Sequence, residues 1–208
     1  MIDAIRWLAL SGGDWVIYLL LASSVLALAV VIERWVVLSR EAEALDLVRG
    51  RIGGRLADGD WTALARDAQA IPGAAARVLA AGLSQARHGS GAAEETLASA
   101  GIAERRGIER RLLILGTLGN NAPFIGLFGT VLGVIKAFHD LAQMSGEGPE
   151  VAMRGLSQAL VATAVGLFVA IPSVVAYNYF QSRVKDLMSG IESLNRALLA
   201  RIKSKAGA

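Results

Sequence analysis

The side chains with chemical potential in this chain are amides and hydroxyls set inside long apolar runs. Thr117, Asn120, Asn121 and Thr130 fall in one run; Gln158, Thr163 and Asn178 fall in another. Such groups solvate an ion or a carboxylate by hydrogen bonding, but they do not titrate near neutral pH. They also supply no nucleophile–base pair. The chain has no cysteine, and its two histidines, His88 and His139, are far apart in sequence. Neither a thiolate site nor a clustered-imidazole metal centre is expected. No catalytic residue, metal ligand or cofactor is assigned. A glutamine near the end of an apolar run is costly unless paired or wetted, which points Gln158 to a helix interface or a pore. Thr130 has a plainer alternative, a bond to the carbonyl four residues earlier in its own helix.

The elements that hold these groups are read from the charge-free intervals. The 208 residues are 54% hydrophobic and 19% charged, against roughly 45–50% and about 25% in a typical globular chain. Between Asp14 and Glu33 lie 18 uncharged residues, between Arg111 and Lys136 another 24, and between Arg154 and Arg183 another 28. A bilayer core of about 30 Å takes roughly 20 residues of helix. Three spans are predicted, at residues 15–32, 112–138 and 154–180. A soluble enzyme with one large core is excluded.

Charge placement sets the orientation. Of 21 Lys+Arg, 12 fall between the first and second spans and 6 follow the third, with only Arg6, Lys136 and Arg154 on the other side. The positive side faces the cytoplasm. Residues 33–111 and 181–208 are therefore expected inside, and residues 1–14 and the loop 139–153 outside. The opening segment does not read as a secretory signal: it carries Asp3 and Asp14 and only Arg6. Ile2, Ile5, Trp7, Leu8 and Leu10 give it a loosely amphipathic pattern suited to a membrane surface. Ser11-Gly12-Gly13-Asp14 then breaks it and caps the first span. Between the spans, 12 basic residues are interspersed with 11 acidic ones, and Trp35 and Trp61 are the only aromatics, too few and too far apart for base stacking. That is a solvated helical surface and not a nucleic-acid footprint. Breaks are expected at Gly53-Gly54, Asp58-Gly59-Asp60, Pro72-Gly73 and Gly89-Ser90-Gly91, whereas Ala92–Arg111 is expected to run into the second span as one helix.

The first span carries only Ser23 and Ser24 as polar side chains, as a lipid-facing helix does. The second carries Gly126, Gly129 and Gly133, small residues that let membrane helices approach closely. Pro123 removes one backbone hydrogen bond and favours a kink, with Asn120 and Asn121 placed to satisfy freed carbonyls. The third span repeats this with Gly166, Pro172 and Asn178. Neither has Asp, Glu, His, Lys or Arg in its central part. A proton path here would need a carboxylate from another polypeptide.

The stretches GNNAPFIGLFGTVLGVIKAF, from Gly119, and GLSQALVATAVGLFVAIPSVVAYNYF, from Gly155, resemble the MotA/TolQ/ExbB proton-channel family, and most of all its TolQ/ExbB branch. The resemblance implies a homopentamer around a central pore. That pore holds a dimer of a single-span ExbD/TolR/MotB-like partner supplying a titrating aspartate. Thr130 and Thr163 are then pore-facing beside that aspartate, with Gln158 on the ion pathway. Asn121, Pro123, Gly126, Gly129, Gly133, Gly166 and Pro172 serve helix packing or kinks, the small residues packing between subunits. One position departs, since such relatives usually carry glutamate where this chain has Gln158.

The expected fold is an all-α integral membrane protein of three transmembrane helices with long cytoplasmic helical extensions and its N-terminus outside. The expected function is a ring-forming subunit of a proton-driven motor in the bacterial inner membrane, coupling ion flow to mechanical work in the envelope. A structural membrane scaffold is the rival reading. A membrane enzyme lacks its nucleophile, metal or acid–base pair, and a small-solute transporter lacks repeated halves.

Overall fold

A computed structural model describes residues 12–57, 60–143 and 148–206. Among them the helices are α1 (Asp14–Arg51), α2 (Trp61–Gln69), α3 (Ala74–Gln85), α4 (Ser90–Glu109), α5 (Leu112–Gln143) and α6 (Gly148–Ala206), with short 3₁₀ turns at Gly53–Ala57 and Ala86–His88. Three of these, α1, α5 and α6, are long and apolar enough to cross a membrane. The 38 residues of α1 and 59 of α6 extend roughly 57 and 90 Å at about 1.5 Å per residue, well beyond a hydrocarbon layer of about 30 Å. The amphipathic reading of Ile2 to Leu10 and the centre of the outer loop, 144–147, lie outside the described residues.

The chain divides into two compact units, one formed by residues up to Ile32 with Leu112–Asn178, the other by Glu33–Arg111 with the residues from Tyr179. In the first unit, α5 and α6 run antiparallel along a seam of small residues. A Cβ on Gly126 would lie 2.7 Å from the Ala162 carbonyl oxygen and 3.2 Å from Gly166 Cα. One on Gly133 would lie 2.6 Å from Ala159 Cβ, and one on Gly129 2.8 Å from Ala162 Cβ. Only glycine at these points lets the backbones meet. The small residues expected to pack between subunits therefore pack inside one chain, because α5 and its antiparallel neighbour α6 present complementary flat faces. Val16 and Leu20 of α1 close the core with Ala122, Leu132, Val169 and Ala170. Phe124, Phe128, Phe138, Leu160, Phe168 and Ile171 are exposed. An apolar surface of this extent calls for lipid or neighbouring subunits as its solvent.

Pro123 and Pro172 lie inside α5 and α6, and both helices continue through them. Pro123 frees the carbonyl of Gly119, yet the Asn121 amide donates to the carbonyl of Thr117, at 2.9 Å. The Asn121 amide thus bonds a carbonyl two residues before the freed one, and the expected repair by Asn121 is not made.

In the second unit, α3 packs against α2 and α4, burying Val78, Leu79 and Leu83. Asp60 caps α2 by accepting from the Ala63 N–H at 3.0 Å. Glu41, on α1, accepts from the Ala74 N–H at 2.7 Å and so caps α3. Gly73 precedes α3 at φ +112°, where its absent Cβ would meet Ala44 Cβ at 2.6 Å, so both conformation and space demand glycine. Breaks fall as expected at Gly53, at Pro72-Gly73 and at Gly89, while the one expected at Asp58-Gly59 lies outside the described residues.

One further break was not expected. The helix thought to continue from Ala92 through the second span stops at Glu109, and α5 starts at Leu112. Arg34 is buried and donates from Nη1 to the Ile108 carbonyl at 3.0 Å. That oxygen would be the acceptor of the Leu112 N–H in a continuous helix, so the guanidinium competes for it. Arg34 Nη2 also donates to Glu33 Oε1 at 2.9 Å, and Arg111 pairs with the same carboxylate. The Arg111 bond first, and Arg34 beside it, hold the Glu33 carboxyl below the usual carboxylate range. The same contact raises the Arg111 guanidinium.

Candidate functional site

The polar side chains of the first unit gather at two levels. At the level of the seam, the backbone of Thr163 lies against Gly126, whose missing Cβ would sit 3.1 Å from Thr163 Cα. Thr163 is half-buried. Thr130, one turn along α5 from Gly126, is buried and donates to the carbonyl of Leu127 at 2.6 Å. The plainer reading of Thr130 thus holds in part: its hydroxyl is engaged by its own helix, three residues back instead of four. Gly129 and Gly166 complete this level, with Gly166 against the Ala122 carbonyl.

The second level lies about five residues from Thr163 along α6, or roughly 7–8 Å of rise. Here Gln158 Nε2 donates to Asp14 Oδ1 at 2.9 Å. The two residues are 144 positions apart, and sequence reasoning gave Asp14 only the role of a cap. The residues before it explain the placement. Gly12 adopts φ +80°, and a Cβ on Gly13 would lie 2.5 Å from the Gly129 carbonyl oxygen. Two successive glycines therefore let the chain press against α5 before α1 begins, which brings the Asp14 carboxylate to α6. The only signal in the sequence was Gly-Gly-Asp ahead of an apolar run, a pattern too common to identify a pair.

Beside this pair lies a cavity of about 190 Å³, lined by Asp14, Lys136, Asp140, Arg154 and Gln158 and floored by small residues such as Gly133 and Ala159. Two carboxylates thus share it with two cations. Lys136 and Arg154 line this polar recess. Among the described residues no group of three or more His, Cys, Asp or Glu is placed to hold a metal ion. The arrangement offers hydrogen-bonding groups and water-sized space, the means of solvating and passing a small ion.

Residues 71–193, which span α3 to α6 and include Thr130, Gln158 and Thr163, match the MotA/TolQ/ExbB proton channel family. The chain belongs to that family. Relatives include the Tol-Pal system protein TolQ of Pseudomonas aeruginosa, 42% identical over 85 residues, covering 41% of this chain and 37% of that protein. The putative biopolymer transport protein ExbB-like 2 of Helicobacter pylori is 45% identical over 82 residues, covering 39% and 55%. The biopolymer transport protein ExbB of Aquifex aeolicus is 39% identical over 88 residues, covering 42% and 60%. The matched stretches thus span between about a third and three fifths of these relatives' lengths. The MotA/TolQ/ExbB family is one of membrane proton channels and not of enzymes, and this chain falls on its TolQ/ExbB-like side.

Proposed function

We propose that this chain is the ring-forming subunit of a proton-driven motor in the bacterial inner membrane. Five copies surround a pore shared with a dimer of a single-span ExbD/TolR/MotB-like protein. Proton flow through that pore does mechanical work in the envelope, of the kind that the names of its relatives attach to the Tol-Pal system and to biopolymer transport. The observation that carries this reading is a mismatch. The chain belongs to a proton channel family, yet the central parts of its second and third spans hold hydroxyls and amides and no titratable side chain. The aspartate that takes up the proton at mid-membrane then belongs to the partner, and Thr130 and Thr163 solvate it.

In this arrangement residues 15–32, 112–138 and 154–180 cross the bilayer. Residues 33–111 and 181–208 are cytoplasmic, and 1–14 and 139–153 face the periplasm. The bias of 18 basic residues among those two cytoplasmic segments supports that orientation. The exposed apolar face of the first unit supports contact with lipid and further subunits.

Native mass spectrometry of the chain co-expressed with the partner encoded beside it tests the assembly. Five copies with two of the partner are expected. A monomer or dimer that captures no partner contradicts the motor reading and favours the scaffold. Cysteines at Arg87 and Arg201 test orientation: they are expected to react with an impermeant thiol reagent only after the inner membrane is opened, and labelling in intact spheroplasts reverses the topology.

A further inference from the structure

The proton path proposed above assigns no proton-exchanging group to this subunit. We infer that Asp14 is that group: a carboxylate at the mouth of the cavity that takes protons from the outer medium and hands them on toward the seam. Three observations, independent of the partner, support the assignment. Asp14 is held in place, with Oδ1 accepting from Gln158 Nε2 at 2.9 Å. It is brought there by a backbone that glycine alone permits, at Gly12 with φ +80° and at Gly13 against the Gly129 carbonyl. It borders a cavity of about 190 Å³, room for about six waters at roughly 30 Å³ each.

α5 contributes Lys136 and Asp140 to the cavity, and α6 contributes Gln158 and Arg154, which also pairs with Glu150 at 3.7 Å. The step is a simple exchange: hydronium in the cavity gives its proton to Oδ2 of Asp14 and becomes water. The neutral carboxyl then gives that proton to an inner water, which carries it to the partner's carboxylate. Gln158 moves no proton. Its N–H holds Oδ1, and no bond to Oδ2 is formed among the described residues. Gly133, Ala159 and Ala162 also line the cavity, and Thr163 follows Ala162 in α6.

This inference rests on the proton-path reading, and the test separates the two. Chain and partner are reconstituted in liposomes, and proton uptake is followed at a fixed imposed potential, with assembly checked by native mass spectrometry. Asp14→Asn keeps an oxygen for the Gln158 N–H but cannot accept a proton. It is expected to lower the flux by about a hundredfold, the low end of what a positioned proton-transferring group contributes, while leaving the complex assembled. Asp14→Glu is expected to conduct. Asp14→Asn combined with Gln158→Glu moves the carboxylate across the hydrogen bond and is expected to recover most of the lost flux. Asp46→Asn, which removes an exposed carboxylate of the second unit, away from the cavity, is expected to stay near the parent. If Asp14→Asn conducts like the parent, fails to assemble, or is not rescued by the exchange, Asp14 is not the relay. Equal losses in Asp14→Asn and Asp46→Asn likewise overturn it, by reducing the effect to general charge. A parent complex that does not conduct overturns the proton-path reading itself, and this inference with it.

Discussion

Gly126→Ala is the substitution whose effect follows most directly from the packing of the membrane unit. The added methyl would sit 2.7 Å from the Ala162 carbonyl oxygen, 3.1 Å from Thr163 Cα and 3.2 Å from Gly166 Cα. All three are backbone atoms of α6, so no side chain can swing aside. Ordinary contact begins near 3.4 Å, and the helices must therefore part locally by about 0.7 Å. A gap of 0.5–1 Å forfeits roughly a quarter to a half of each neighbouring contact. The pairs Gly129–Ala162, Gly133–Ala159 and Gly166–Ala122 are all close enough to lose by it. In a bilayer such contacts and hydrogen bonds are the main adhesive between helices, because lipid tails are as apolar as the helices. Overpacking of this kind costs about 1–3 kcal/mol. A cost of about 2 kcal/mol lowers the Tm by roughly 4–8 °C in a chain of this size. Thermal unfolding in mild detergent measures it, with Gly107→Ala as the control. Gly107 has open space around its Cβ position and lies inside α4, so alanine there is expected to stabilise by about 0.5–1 kcal/mol. If Gly126→Ala melts with or above the parent, the seam between α5 and α6 is not as described.

The remaining expectations concern conduction and the paired charges at Glu33. Thr130→Val and Thr163→Val are expected to leave the complex assembled while stopping proton flux in liposomes. Unaltered flux in both removes these threonines from the ion path. Arg34→Ala deletes a buried guanidinium bonded to the Ile108 carbonyl and to Glu33, and a loss of about 2–3 kcal/mol is expected on thermal unfolding; a shift within error contradicts the role given to Arg34. Glu33 has a folded pKa below its ordinary value of 4.5, chiefly through Arg111. Its contribution is therefore present in full above pH 4.5 and is lost as the pH falls through the lowered value. Melting followed against pH should show an acid limb below 4.5 that Glu33→Gln reduces, and an identical limb in the variant counts against the pairing.

What was legible in the sequence was whatever depends on composition over a window. Three charge-free intervals gave three long apolar helices, because a bilayer imposes a minimum length and forbids most charges. Gly73 and the glycines near residue 53 announced breaks, since glycine and proline act on the local backbone. Partner choice was not legible. The spacing of Gly126, Gly129 and Gly133 signals a close approach but does not say to what, and the answer is Ala162, Ala159 and Gly166 of the same chain. The break at Arg110 and Arg111 was hidden for a similar reason: its cause is Arg34, more than seventy residues away. Of the candidate site residues, Gln158 was singled out because an amide in an apolar run needs a partner, but nothing local named Asp14. Pairs made by tertiary folding leave no periodic trace.

Proton flux through liposomes carrying the chain with its single-span partner tests the central claim most directly. At an imposed 100 mV each proton carries about 2.3 kcal/mol, and uptake is read with an entrapped pH dye. The chain and partner together are expected to conduct, whereas the chain alone, or the pair with the partner's aspartate changed to asparagine, is expected to be silent. Conduction by the chain alone at the rate of the pair, or silence of a fully assembled pair, would contradict a proton path completed by the partner's carboxylate.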